Sequence, residues 1–295
     1  MENKTQVYNY ILNAKTGLKL ASKKILSVLI IFALFCGLLF IAQDSLIFHN
    51  VHCHASREFL QNRPGFREIK FTALSGNTYH GMMRYISDEE APLLIYFGGN
   101  GEVSYRHMRM REMNNHWQYF DGFHYLFVDY RGYGLNSGRT HYRNMQEQAL
   151  AIFDYAAALA NVDGGRIVVM GYSLGTASAV YLAANRPAAG LILATPFSNG
   201  YDLYNNLLPI FRGPMRFLVR QKLPSYRYAP YVACPVLIIA SRNDEIIPFS
   251  STQRLASLFP GDVDFMELSN ARHNDIFLAH GVYDRVRDFL GDFLY

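Results

Sequence analysis

The stretch Gly171-Tyr172-Ser173-Leu174-Gly175 constrains this chain more than any other. It follows Ile167 to Met170, a β-branched apolar run that suits a buried strand, and it leads into small and apolar residues, from Leu174 to Arg186, that suit a packed helix. A strand that reverses directly into a helix brings the two backbones so close that the flanking residues must lack a Cβ. Glycines two positions either side of Ser173 meet that need. Such a turn holds the serine hydroxyl out over the end of the sheet and sets the first helical amide, that of Leu174, beside it. This geometry suits acyl transfer, with the amide facing the oxyanion as it develops. A glycine-rich turn whose serine caps a helix has the same local pattern, so the other strand ends decide between the two.

Those ends follow from the alternation of apolar runs. β-rich runs near 66–73, 79–86 and 92–97 come first, and strands near 123–129, 166–170, 190–194, 235–240 and 263–268 follow. Helical stretches near 104–119, 145–161, 174–186, 249–259 and 281–294 separate them. The alternation predicts a mostly parallel, eight-stranded α/β sheet with helices on both faces. Ligands on such sheets bind beyond the carboxyl ends of the strands.

The strand ending at Phe97 runs into Gly98-Gly99-Asn100-Gly101, where an amide near Asn100 supplies a second oxyanion donor. The strand ending at Val128 runs into Asp129-Tyr130-Arg131-Gly132-Tyr133-Gly134, which reads as architecture, with Asp129 and Arg131 bonding to neighbouring backbone. After Val236 to Ala240 comes Asp244, placed to reach inward as the acid that orients an imidazole, with Glu245 the competing acid. After the last strand comes His273, the base candidate. The order Ser173, Asp244, His273 is the order this architecture uses.

On the motifs FGGNG, DYRGYG, GYSLG, SRNDEIIPFS and RHNDI, in that order, residues 45–295 resemble the α/β-hydrolases. Within that superfamily the likeness is to membrane-tethered serine hydrolases, which include bacterial inner-membrane members and animal palmitoyl-protein thioesterases. The resemblance implies a catalytic triad of Ser173, Asp244 and His273, with Leu174 and Asn100 as oxyanion donors. In one respect the chain departs from the pattern: Gly98 stands where such proteins usually carry histidine.

Ile25 to Ala42 is an uncharged apolar run of the length a helix needs to cross a bilayer. It has no small-residue cleavage site, which favours a retained anchor over a signal peptide. Of the 28 basic and 24 acidic residues, five lysines and one acid fall within residues 1–24, and the remainder balances. Nothing there advertises nucleic-acid binding. Lysines before the span predict a cytoplasmic amino terminus and an extracytoplasmic domain, periplasmic in a bacterium. The expected organisation is a basic leader at 1–24, a transmembrane anchor at 25–42, a linker at 43–64 and a hydrolase domain at 65–295. His49, His52, Cys53 and His54 lack a second ligand group at zinc-like spacing, so no metal or other cofactor is expected. Cys53 and Cys234 are the candidate extramembrane cysteine pair.

A cap at about 197–232 should arch over the serine. Its aromatic residues, Phe197, Phe211 and Phe217 among them, seat it on the sheet or form a groove for an acyl chain. The expected activity is hydrolysis of carboxylic ester or thioester bonds in an acylated small molecule, lipid or lipidated protein. A peptidase of the same architecture and a non-catalytic anchored binding protein are the alternatives.

Overall fold

The computed structural model describes residues 2–49, 51, 54–207, 211 and 213–294. The chain divides into two compact units, Met1–Gln43 and Asp44–Tyr295. Residues 2–43 of the first lie within the helix α1 (Glu2–Ile47), whose stretch Tyr8–Asp44 is long and apolar enough to cross a membrane. Leu26, Leu29, Phe32 and Leu38 are exposed on it.

The second unit opens with Asp44 and passes through α2 (His54–Gln61) to β1 (Phe66–Thr72), β2 (Thr78–Arg84) and β3 (Ala91–Phe97). Next come α3 (Ser104–Met113), β4 (His124–Val128), α4 (Tyr142–Ala157), β5 (Val162–Tyr172), α5 (Gly175–Ala183) and β6 (Gly190–Ala194). The chain continues through α6 (Gly200–Leu207), a 3-10 turn at Gly213–Leu218 and α7 (Ser225–Tyr228). It ends with β7 (Val236–Ser241), α8 (Phe249–Ala256), β8 (Val263–Leu268) and α9 (Val282–Gly291).

The strands form one eight-stranded sheet in the order β1-β2-β4-β3-β5-β6-β7-β8. β2 pairs antiparallel with β1 and β4, and every other neighbouring pair is parallel, so the sheet is mixed, as the mostly parallel expectation allows. β3 shows why both faces must be covered. Leu93, Ile95 and Phe97 enter one apolar core and Leu94 and Tyr96 the other, the two-sided burial that makes a central parallel strand a continuous apolar run. The strands match the sequence expectation closely, except that β5 begins earlier, at Val162.

Asp129 behaves as the architectural residue expected. Its carboxylate is fully buried and accepts the Ser104 N–H at 2.6 Å and the Ser104 hydroxyl at 3.0 Å, tying the end of β4 to the start of α3. Burial pushes its pKa up to about 7, against the pull of those two bonds. Cys234 carries a free thiol, and Cys53 lies outside the described residues.

Candidate active site

Ser173 has φ 50°, a left-handed conformation that costs an L-residue on the order of 1 kcal/mol or more. Local bonds hold it there. Its N–H donates to Ala194 O at 2.9 Å, and its carbonyl accepts the Thr176 N–H at 3.0 Å and the Thr176 hydroxyl at 2.6 Å. The flanking glycines are required by contact. A Cβ on Gly171 would stand 2.7 Å from Thr176 Cα, and one on Gly175 would stand 2.0 Å from Phe97 O. The turn is therefore a strained strand-to-helix elbow, as the sequence predicts.

The other two strand ends deliver their side chains to it. His273 Nε2 lies 2.8 Å from Ser173 Oγ, and His273 Nδ1 lies 2.8 Å from Asp244 Oδ2. Asp244 Oδ1 also accepts the N–H groups of Ile246 at 2.9 Å and Ile247 at 2.8 Å, which fixes the carboxylate before the imidazole meets it. With Asp244 only able to accept, Nδ1 carries the proton and Nε2 is free to accept from the serine hydroxyl. Ser173 is 9% exposed, and the side chains of His273 and Asp244 are buried. Glu245, the competing acid, takes a different part. Its Oε2 accepts the His273 backbone N–H at 3.1 Å, which holds its carboxyl below the ordinary pKa, while Oε1 pairs with Arg272 at 3.1 Å. Tyr172 stacks on the imidazole at 5.6 Å between ring centres and donates its hydroxyl to His273 O at 3.1 Å.

The loop after β3 has its own supports in place of the absent histidine side chain. Tyr130 donates its hydroxyl to Gly98 O at 2.9 Å, and Gly99 N–H donates to Glu102 Oε2 at 2.7 Å. Tyr96 donates to the same carboxylate oxygen at 2.9 Å, and His107 Nδ1 lies 3.3 Å from the other. Burial opposes ionisation of Glu102, but these bonds outweigh it and lower its pKa. Burial brings His107 down to about 4, so it is neutral, and its Nε2 accepts from Arg111 at 2.6 Å and lies 2.8 Å from the Tyr125 hydroxyl. Glu102 sits two residues beyond Asn100, and only its place beside the glycine run could have marked it in the sequence.

Ser173 and His273 line a cavity of about 390 Å³ together with Asn100, Leu174, Tyr172 and Asn274. Its apolar wall is made of Ile47, Leu203, Tyr204 and Ile246, and His49 also lines it. This corrects the groove expected from cap aromatics. Phe197 is wholly buried in the core, Phe211 packs with Tyr204 and Val219, and Phe217 is 84% exposed beside a different cavity. An apolar cap residue seats the cap wherever its helix face meets the sheet, and α6 turns Leu203 and Tyr204 toward the serine instead. Leu208, Pro209, Ile210 and Arg212 lie outside the described residues. No cluster of His, Cys, Asp and Glu able to hold a metal ion occurs among the described residues, and His52 and Cys53 are not among them.

The open α/β sheet, its strand-to-helix elbow and the cavity over the carboxyl ends of the strands define the fold as that of the α/β-hydrolases. The α/β-hydrolase family pattern matches residues 99–236. An uncharacterised protein of Mycobacterium tuberculosis is 34% identical over 171 residues, covering 57% of this chain and 60% of that protein. The α/β-hydrolase domain-containing protein aho-3 of Caenorhabditis elegans is 30% identical over 162 residues, covering 55% of this chain and 47% of that protein. The matches thus span about half to three-fifths of these relatives. Among solved structures, 2,6-dihydroxy-pseudo-oxynicotine hydrolase aligns with a TM-score of 0.67 at 19% identity, over 81% of this chain and 71% of that one. The Pyrococcus furiosus esterase Pf2001 aligns at 0.66 and 15% identity, over 84% and 100%. The chain has the α/β-hydrolase fold. The family match ends before Asp244 and His273.

Proposed function

We propose that this chain is a serine hydrolase cleaving carboxylic ester or thioester acyl bonds. The observation that carries the reading is the continuous hydrogen-bonded line from Asp244 through His273 to Ser173 on the wall of a cavity. His273 takes the serine proton as Oγ attacks the carbonyl, and Asp244 stabilises the imidazolium. The N–H groups of Leu174 and Asn100 receive the oxyanion. His273 then protonates the leaving group, and water activated by the same imidazole releases the acyl group from Ser173. Each step uses side chains and amides of the chain itself.

The apolar wall supports an acyl substrate, since each methylene buried there contributes about 0.8 kcal/mol. Esters and thioesters expel their leaving groups more readily than amides, which favours them over peptides. Ile47 follows the apolar run Ile25–Ala42 by five residues in sequence, and an anchored chain meets acyl groups of lipids or lipidated proteins. Nitrophenyl esters or acyl thioesters of increasing length should show a length preference. Leu203→Trp should shift it toward shorter chains, and Phe217→Ala should leave it unchanged. Equal rates at all lengths, together with efficient cleavage of unmodified peptides, would overturn the acyl reading in favour of a peptidase.

The same reading makes the apolar helix a single-span anchor, with residues 1–24 cytoplasmic and the hydrolase unit on the opposite side. Protease added outside should digest the hydrolase unit and spare the leader. A mature protein lacking the leader would show it to be a signal peptide.

A further inference from the structure

The residues that follow the apolar run are built into the wall of the site. All four hydrogen-bonding positions of the Asn100 side-chain amide are occupied. Its Oδ1 accepts the His49 N–H at 3.0 Å and the Tyr133 hydroxyl at 2.8 Å. Its Nδ2 donates to Ile47 O at 2.5 Å and to His49 Nδ1 at 2.8 Å. Three of the four bonds come from residues 47 and 49. Because the amide donates to Nδ1, the His49 ring accepts there and carries its proton on Nε2.

The segment is itself secured on both sides of this contact. Val51 O accepts the Gly134 N–H at 2.9 Å, and Phe48 is buried in the core that holds Phe97 and Val103. Asp44 Oδ1 accepts from Gln221 Nε2 at 2.6 Å, and Asp44 Oδ2 lies 3.4 Å from Arg220. Gln221 is fully buried, takes the Tyr142 N–H at 2.9 Å on its Oε1, and accepts the Tyr204 hydroxyl at 3.0 Å on its carbonyl. Tyr204 and Ile47 both line the cavity.

Asn100 lies between Gly99 and Gly101, the latter at φ 79°, and a glycine-flanked peptide has little stiffness of its own. We propose that Asp44, Ile47, His49 and Val51 form a positioning element of the active site. Through the Asn100 side chain it fixes the direction of the Asn100 backbone N–H, and so the second oxyanion donor. This rests on the serine hydrolase reading above. It makes the stretch just beyond the apolar run a determinant of turnover.

The test uses the full chain in detergent micelles with nitrophenyl butyrate, comparing His49→Ala, His49→Asn and Asn100→Ala. Loss of one neutral hydrogen bond corresponds to a factor of about five to ten, so His49→Ala should lower kcat by about that much with KM little changed. Asparagine places its Oδ1 where Nδ1 stood, so His49→Asn should restore kcat. Asn100→Ala removes all four bonds and should lower kcat by more than about tenfold, toward the range of a lost oxyanion donor. Parental kcat in His49→Ala, or failure of His49→Asn to improve on it, overturns the proposal, because a packing role alone is not rescued by an acceptor. Ser173→Ala run alongside separates the two readings. Activity that survives it refutes the hydrolase assignment, whereas activity that depends on Ser173 but ignores His49 refutes only the positioning element.

Discussion

Replacing Ser173 by alanine is expected to lower turnover by about 10⁴-fold or more while leaving the fold intact. The hydroxyl's partner is His273 Nε2 at 2.8 Å, and the bonds that hold the elbow run through the Ser173 backbone and Thr176, which alanine keeps. Stability should therefore move by no more than about 1 kcal/mol. His273→Ala should cost about as much activity as Ser173→Ala, and the double variant little more than either, because the pair acts as one unit. A fluorophosphonate probe should label the parent at Ser173 and not the variant. A purified Ser173→Ala protein that turned over substrate at the parental rate would falsify the assignment.

The second large effect is expected at Gly175. A Cβ there would meet Phe97 O at 2.0 Å, Phe97 C at 2.5 Å and Gly98 O at 2.7 Å. All three are backbone atoms, so no side chain can rotate out of the way, and the end of β3 must shift with the loop behind it. Gly175→Ala should destabilise the protein by about 3 kcal/mol or more, at the upper end of overpacking. The molecules that still fold should lose activity on the order of 10²-fold, since a displacement near 1 Å at reacting groups has that cost. Gly164→Ala is the control, with its nearest neighbour at 3.8 Å and an expected change within about 0.5 kcal/mol. Equal melting temperatures for the two variants would contradict the close approach of strand and helix.

The strands, and the strand ends from which Ser173, Asp244 and His273 come together, were legible because each rests on local pattern. A buried strand shows as an apolar run, and a site residue follows the carboxyl end of its strand, so Ser173, Asp244 and His273 could be placed without knowing which strands are neighbours. The position of β4 between β2 and β3 depends on long-range pairing and leaves no local mark. The cavity wall was the part misjudged. Phe197, Phe211 and Phe217 are as apolar as Leu203 and Tyr204, and composition alone does not reveal which of them faces the serine. Ile47 and His49 fell within a stretch that reads as linker, because a segment secured by single contacts to distant loops has no periodicity. Glu102 was hidden similarly: its bond to Gly99 spans three residues, yet an acid near a glycine run is ordinary at a helix start.

β3 and β5 are adjacent and parallel, with Tyr96 opposite Met170 and Phe97 opposite Gly171. Asn100 follows one strand and Leu174 the other, so the spacing of their amides is inherited from the distance between neighbouring strands, about 4.8 Å. Among the described residues, the cap gives the cavity wall Leu203 and Tyr204, and the spacing of the two strands depends on neither. On the proposed acyl-hydrolase reading, Leu203 can therefore change in the course of divergence, and a lineage can exchange one acyl group for another without passing through an inactive ancestor.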